Sequence, residues 1–142
     1  MTLEELQELA DKDLKINDTE LDLESIKTPA IHNKYLKFLT KYKLILSRSE
    51  TDYRVMKREK WEYYTGKADP SVYAERPFSF KLLKTDVDKY LDSDMELQKL
   101  KQKVDYIQTT VDFLDRTLRQ ISNRTFTIKN AVDWRKFTSG AI

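Results

Sequence analysis

The sequence predicts an all-α fold in which two long helices pack as a hairpin or bundle, flanked by short helices at both ends. Three observations carry this reading. Two glycines and three prolines are all that punctuate 142 residues, so few positions force the chain out of helix. No stretch alternates apolar and polar residues for long enough to build a sheet. Finally, Leu97, Leu100, Val104, Ile107, Val111, Leu114, Leu118 and Ile121 fill eight consecutive places spaced by three and four residues, the stripe of a heptad helix.

The elements follow in chain order within one helical domain, 1–142. Thr2 with Glu5 forms a capping box ahead of Leu3, Leu6, Leu9 and Ala10, which predicts a first helix over about 3–12 inside an acidic segment, 1–26. Asn17, Asp18 and Thr19 make a polar connection, and Leu21, Leu23 and Ile26 a brief helical or extended piece. Thr28 followed by Pro29 is a good helix start, because proline in the first helical position gives up no hydrogen bond, and Gly66 is a good stop. The long basic helix is therefore placed at 28–66. Its stripe of Ile31, Tyr35, Phe38, Tyr42 and Ile45, widened by Leu39 and Leu46, predicts a packed first half. Ser49 and Asp52 break the stripe, so 47–60 reads as solvated or facing a polyanion. Pro70, Pro77, Tyr73, Phe78 and Phe80 make 67–85 an ordered loop that packs its aromatics locally. Ser93 with Glu96 caps the heptad helix, 86–123, and Asn123 offers a left-handed stop. Ile128, Ala131, Val132 and Trp134 predict a final helix over 127–138, ahead of Gly140.

Helix length argues for self-association. About 37 residues without a breaker span about 55 Å, against a diameter of roughly 40 Å for a compact chain of this size. The 31–45 stripe covers part of the heptad seam. The remainder, Val111, Leu114, Leu118 and Ile121, with Ile128, Val132, Trp134 and Phe137 of the last helix, is the expected contact between copies.

Composition excludes several function classes. Cysteine is absent, which removes disulfides, thiolate nucleophiles and cysteine metal sites. The amino terminus is acidic where a secretory signal is basic and then apolar, and no apolar run reaches the ~18 residues of a membrane span, so a soluble cytoplasmic protein is expected. His32, the single histidine, has no evident nucleophile or orienting partner. The acids at 86, 88, 92, 94 and 96 lack the glycine that a calcium loop needs at its sixth position, so no metal is expected. Both glycines stand alone, which excludes a phosphate-cradling loop. No cofactor and no catalysis are expected.

Charge is segregated. Residues 1–26 carry nine acids against two bases, whereas 27–67 carry eleven bases against four acids, a local charge of +7 in a chain of net charge +2. Within the basic third, RVMKREKWEYYTGK places Arg54, Lys57, Arg58, Lys60 and Lys67 among Trp61, Tyr63 and Tyr64. Cations track a phosphate backbone while aromatic faces stack unpaired bases, so Arg54, Lys57, Arg58, Lys60, Tyr63, Tyr64 and Lys67 are the candidate single-stranded-DNA contacts. Trp61, Tyr63 and Tyr64 cannot share one helical face, and Trp61 is expected to be the buried one. The rival is a structural coiled-coil adaptor that binds only proteins, its basic half-helix simply solvated.

The segment MKREKWEYYTG, 56–66, resembles the DNA-binding motif of the UvsY family, recombination mediators of T-even-type bacteriophages. Leu3-Glu4-Glu5-Leu6-Gln7 at one end, and Phe126-x-Ile128-Lys129 with Asp133-x-Arg135-x-Phe137 at the other, are similar to that family's termini, in order and spacing. The resemblance implies a ring-like helical homo-oligomer, hexamer or heptamer, assembled largely through its carboxy-terminal region and acting in the host cytoplasm. It implies a non-enzymatic protein that binds single-stranded DNA and helps load the phage strand-exchange recombinase, UvsX-like, onto DNA covered by the phage single-strand-binding protein, contacting both. Arg58 and Lys60 match the family's two basic DNA-contacting positions with lysine and arginine exchanged. The 67–85 loop, and Thr125 where a glycine eases the turn before the last helix, depart from the family pattern.

Overall fold

The computed structural model describes residues 1–140, and the described residues form five helices and no strand: α1 (Leu3–Leu14), α2 (Leu21–Tyr64), α3 (Pro70–Glu75), α4 (Lys84–Ser93) and α5 (Met95–Ser139). They divide into two compact units, Met1–Lys43 with the chain from Thr109 onward, and Leu44–Gln108, so α2 and α5 each contribute to both.

In the first unit α1 opens on its capping box. The Glu5 amide donates to Thr2 Oγ1 at 3.1 Å, and the Thr2 amide to Glu5 Oε2 at 2.9 Å. Helix α2 starts at Leu21 rather than at Thr28–Pro29. An Asx turn, in which the Thr19 amide donates to Asn17 Oδ1 at 3.1 Å, aims the chain into the helix, and buried Leu21 and Glu24 anchor its first turns. Pro29 therefore lies inside the helix, where it lacks an N–H and its ring crowds the preceding turn. That turn is supported from elsewhere: Thr28 Oγ1 donates to the Glu24 carbonyl at 3.4 Å, and the Arg124 guanidinium donates to the same carbonyl.

Helix α5 also runs further than its sequence signals suggest. The Asn123 stop does not form, since no described residue other than glycine takes a positive φ. The segments read as 86–123 and 127–138 are a break at 93–94 followed by one helix from Met95 to Ser139, because Arg124 and Ile128 extend the buried face through the expected turn. Gly140, φ +69°, ends it.

The first core joins Leu6 and Ala10 of α1, Leu21, Tyr35 and Leu39 of α2, and Val111, Leu114, Leu118, Ile121 and Ile128 of α5, all buried. Five residues assigned by sequence to a contact between copies, Val111, Leu114, Leu118, Ile121 and Ile128, are thus covered within the chain. Helix α1 buries Leu6 and Ala10 in the same unit, whereas by sequence the cover of the seam is divided between the 31–45 stripe and neighbouring copies. Each fully buried leucine adds about 1.5–3 kcal/mol. Val132 is half-buried, while Trp134 and Phe137, stacked at 5.9 Å, and Phe126 remain about two-thirds exposed.

In the second unit Val87, Leu91 and Leu97 pack with Tyr53, Met56, Tyr64 and Leu82. The 47–60 stretch is therefore not simply solvated: Ser49, Tyr53, Met56, Lys60 and Tyr64 continue an inward face after the aliphatic stripe ends. The presumed loop, 67–85, contains α3, capped by Asp69, whose Oδ1 accepts the Ser71 amide at 3.0 Å. Asp94, rather than Ser93, caps α5, its Oδ1 accepting the Leu97 amide at 2.9 Å.

Candidate nucleic-acid interface

The second half of α2 supplies the candidate contacts, and helical period sorts them onto two faces. Arg54, Lys57, Arg58 and Trp61, at i, i+3, i+4 and i+7, share the exposed face. Arg54 donates to Thr51 Oγ1 at 3.3 Å, and the Arg58 guanidinium stands 3.7 Å from the Glu62 carboxylate, both open to solvent. Trp61 is 40 % exposed, which corrects the expectation that it lies in the core, and Lys67 Nζ sits 4.5 Å from the centre of its ring.

Helix α2 ends here because Gly66 takes φ +78°, so that the Lys67 amide reaches the Glu62 carbonyl at 2.8 Å and the Gly66 amide the Tyr63 carbonyl at 3.4 Å. A side chain at 66 meets no steric obstacle but does meet that backbone strain. The Tyr73 hydroxyl donates to the Tyr63 carbonyl at 2.8 Å, fixing α3 to this helix end.

Lys60, Tyr63 and Tyr64 face inward. Tyr63 stacks on Tyr73 at 5.5 Å and meets Tyr64 edge-on at 5.1 Å, and its hydroxyl donates to the Arg76 carbonyl at 3.0 Å. Tyr64 contacts Phe78 and Tyr90 and donates to Asp94 Oδ2 at 2.6 Å. The two tyrosines thus have their ring faces engaged within the unit.

Lys60 is 16 % exposed and lies 3.3 Å from Asp94 Oδ2 and 3.2 Å from Glu96 Oε2, while Arg76 meets Glu96 Oε1 at 2.6 Å. By sequence Glu96 is a cap partner of Ser93 and Asp94 one acid of a cluster that fails as a calcium loop, so their pairing with Lys60 is a finding of the structure. Burial opposes the charged form of Asp94, but the Tyr64 hydroxyl, the Leu97 amide and the Lys60 ammonium outweigh it and hold the carboxyl below its ordinary value. The Arg76 hydrogen bond and then the Lys60 contact do the same for Glu96. Burial, and then the bond to Asp94, push the Tyr64 phenol far above its ordinary range.

These shifts fix a pH dependence. Carboxyls depressed on folding contribute stability that is present above their unfolded values, 3.8 and 4.5, and lost as pH falls through the lower folded values. Thermal unfolding followed by circular dichroism is expected to show Tm falling steeply below about pH 4. Asp94→Asn is expected to flatten that fall; an unchanged profile contradicts this account of Asp94.

Among the described residues no group of three or more histidines, cysteines or acids is placed to hold a metal, and no helix is long and apolar enough to cross a membrane.

Residues 9–141 match the family profile described as recombination, repair and single-stranded-DNA-binding protein UvsY. The chain is 29 % identical over 140 residues to the recombination protein uvsY of Enterobacteria phage T4, covering 99 % of each. Two crystal structures of the bacteriophage T4 recombination mediator protein UvsY superpose with TM-scores of 0.88 and 0.86 at 28 % identity. They cover 98 % and 96 % of this chain, and 98 % and 99 % of theirs.

Proposed function

The chain belongs to the UvsY family of recombination, repair and single-stranded-DNA-binding proteins, and on that premise we propose that it is a recombination mediator. It binds single-stranded DNA and promotes loading of a phage strand-exchange recombinase onto DNA covered by single-strand-binding protein, in the host cytoplasm, without catalysis of its own. The observation that carries this reading is the solvent-facing row of Arg54, Lys57, Arg58 and Trp61, with Lys67 beside it, cations and an aromatic face on one side of one helix. Lys60, Tyr63 and Tyr64 serve the same site from within, by fixing the end of α2.

Exposed Phe126, Trp134 and Phe137, with Val132, supply the contact for a closed homo-oligomer, hexamer or heptamer. Repetition of the cationic row on every copy turns weak single contacts into one multivalent track. Bending the strand along that track loosens the competing single-strand-binding protein and presents DNA to the recombinase.

Oligonucleotide titrations across a salt series test the first step. Log affinity is expected to fall with log salt at about −0.7 per phosphate neutralised. A slope near zero, with an assembly that forms and ignores DNA, means a coiled-coil adaptor instead. The second step is tested by labelled recombinase assembling on pre-covered strands with and without this protein; equal assembly rates reject mediation.

A further inference from the structure

Beside the exposed row of α2 lies a cleft of about 640 Å³, within the ~300–1,000 Å³ range of small-molecule sites. Its wall carries Trp61 and Phe80, 40 % and 69 % exposed, three lysines, Lys67, Lys81 and Lys84, and a single carboxylate, Asp88. Phe80 is tied to the aromatic cluster through Phe78, 5.8 Å away, so its ring is anchored at one edge while most of it stays in solvent. Helix α4 begins at the same cleft with Lys84, its N-cap Leu83 making no side-chain cap and its first turn carrying Asp86, so the positive charge of this wall is that of the three lysines.

We propose that this cleft is a nucleobase-binding subsite for unpaired DNA, resting on the single-stranded-DNA reading above. A base enters beside Trp61 and Phe80 and takes the place of the Lys67 ammonium over the indole. The flanking phosphates then meet Lys67, Lys81 and Lys84. Any base has a ring face to offer, so the subsite is indifferent to sequence but requires that a base be present and unpaired.

That requirement separates this subsite from the phosphate track. Labelled oligothymidylate and an abasic strand of equal phosphate number are titrated into the full-length protein at one salt concentration. Oligothymidylate is expected to bind roughly tenfold tighter, and to quench the fluorescence of Trp61 by an amount absent from Trp61→Phe. Phe80→Ala is expected to bring oligothymidylate down to the abasic level while abasic binding stays within twofold, and Trp61→Ala to abolish the preference for oligothymidylate over the abasic strand. Lys81→Ala with Lys84→Ala weakens both strands and flattens both salt slopes. Equal affinity for the two strands, or an indole unaffected at saturation, overturns the subsite and leaves the phosphate track standing. Failure of both strands to bind overturns the broader reading as well.

Discussion

Arg124→Leu is expected to lower Tm by roughly 10 °C, the largest stability loss of any substitution considered for this chain. Arg124 is 3 % exposed, and its guanidinium donates to the Glu24 carboxylate, to the Glu24 carbonyl and, at 2.8 Å, to Thr28 Oγ1. Leucine leaves Glu24 buried with Lys27, itself 59 % exposed, as its one counter-ion among the described residues, and removes the Arg124 donor from the turn that holds Pro29. Lys27 and then Arg124 hold the Glu24 carboxyl below its ordinary value, so it is ionised at neutral pH. The double variant Glu24→Leu with Arg124→Leu is expected to recover most of the loss, because a buried ion pair replaced by apolar side chains is often neutral. The single variant's deficit should also narrow toward acid pH, where protonation removes the buried carboxylate charge that has lost Arg124. Thermal scans of the four proteins of the cycle decide it: a double variant as unstable as the single one places the effect in packing and not in the pair.

The same pair explains where sequence signals mislead. A proline reads as a helix start because its missing N–H is harmless there. It sits inside α2 one turn beyond Glu24, whose carbonyl in the turn before the proline is held by a guanidinium 100 residues away. Asn123 reads as a stop because asparagine tolerates the left-handed region, yet the buried face needs Arg124 and Ile128, and α5 continues. Local signals that need no distant partner held: the Thr2–Glu5 box, the Gly66 turn and the heptad period. A stripe of leucines and valines records that it will be covered, not by what. Val111 to Ile121 therefore read equally well as core and as interface until Leu6 and Ala10 of α1 appear in the same core.

At the candidate site, composition was legible and direction only in part. Arg58 and Lys60 stand two residues apart, hence about 200° around the helix, so they cannot both face one strand. The spacing of 54, 57, 58 and 61 is the signal that puts Trp61 with the cations, against the expectation that Trp61 is the buried aromatic. The inward turn of Lys60 depends on Asp94 and Glu96, more than thirty residues on, and is invisible without tertiary structure.

Removing Lys57 and Arg58 together is expected to have the largest effect on DNA. Two exposed cations lost from each copy should weaken single-strand binding at least tenfold and make the salt slope shallower by about 1.4, for two phosphates at 0.7 each. Tm should hardly move, since neither side chain carries a buried contact. Lys60→Ala should behave in the opposite way. It strips the ammonium from Asp94 and Glu96 at the cap of α5, so Tm falls, while DNA affinity falls only as far as the end of α2 loosens. Lys60→Arg, which keeps the charge against both carboxylates, should restore Tm and affinity together. If Lys60→Ala instead flattens the salt slope at unchanged Tm, the ammonium leaves its two carboxylates for phosphate. Glu96→Gln, which weakens that competing hold, must then tighten DNA binding. Scans of Tm and salt slope on these variants separate a cation that touches the strand from one that shapes the helix presenting it.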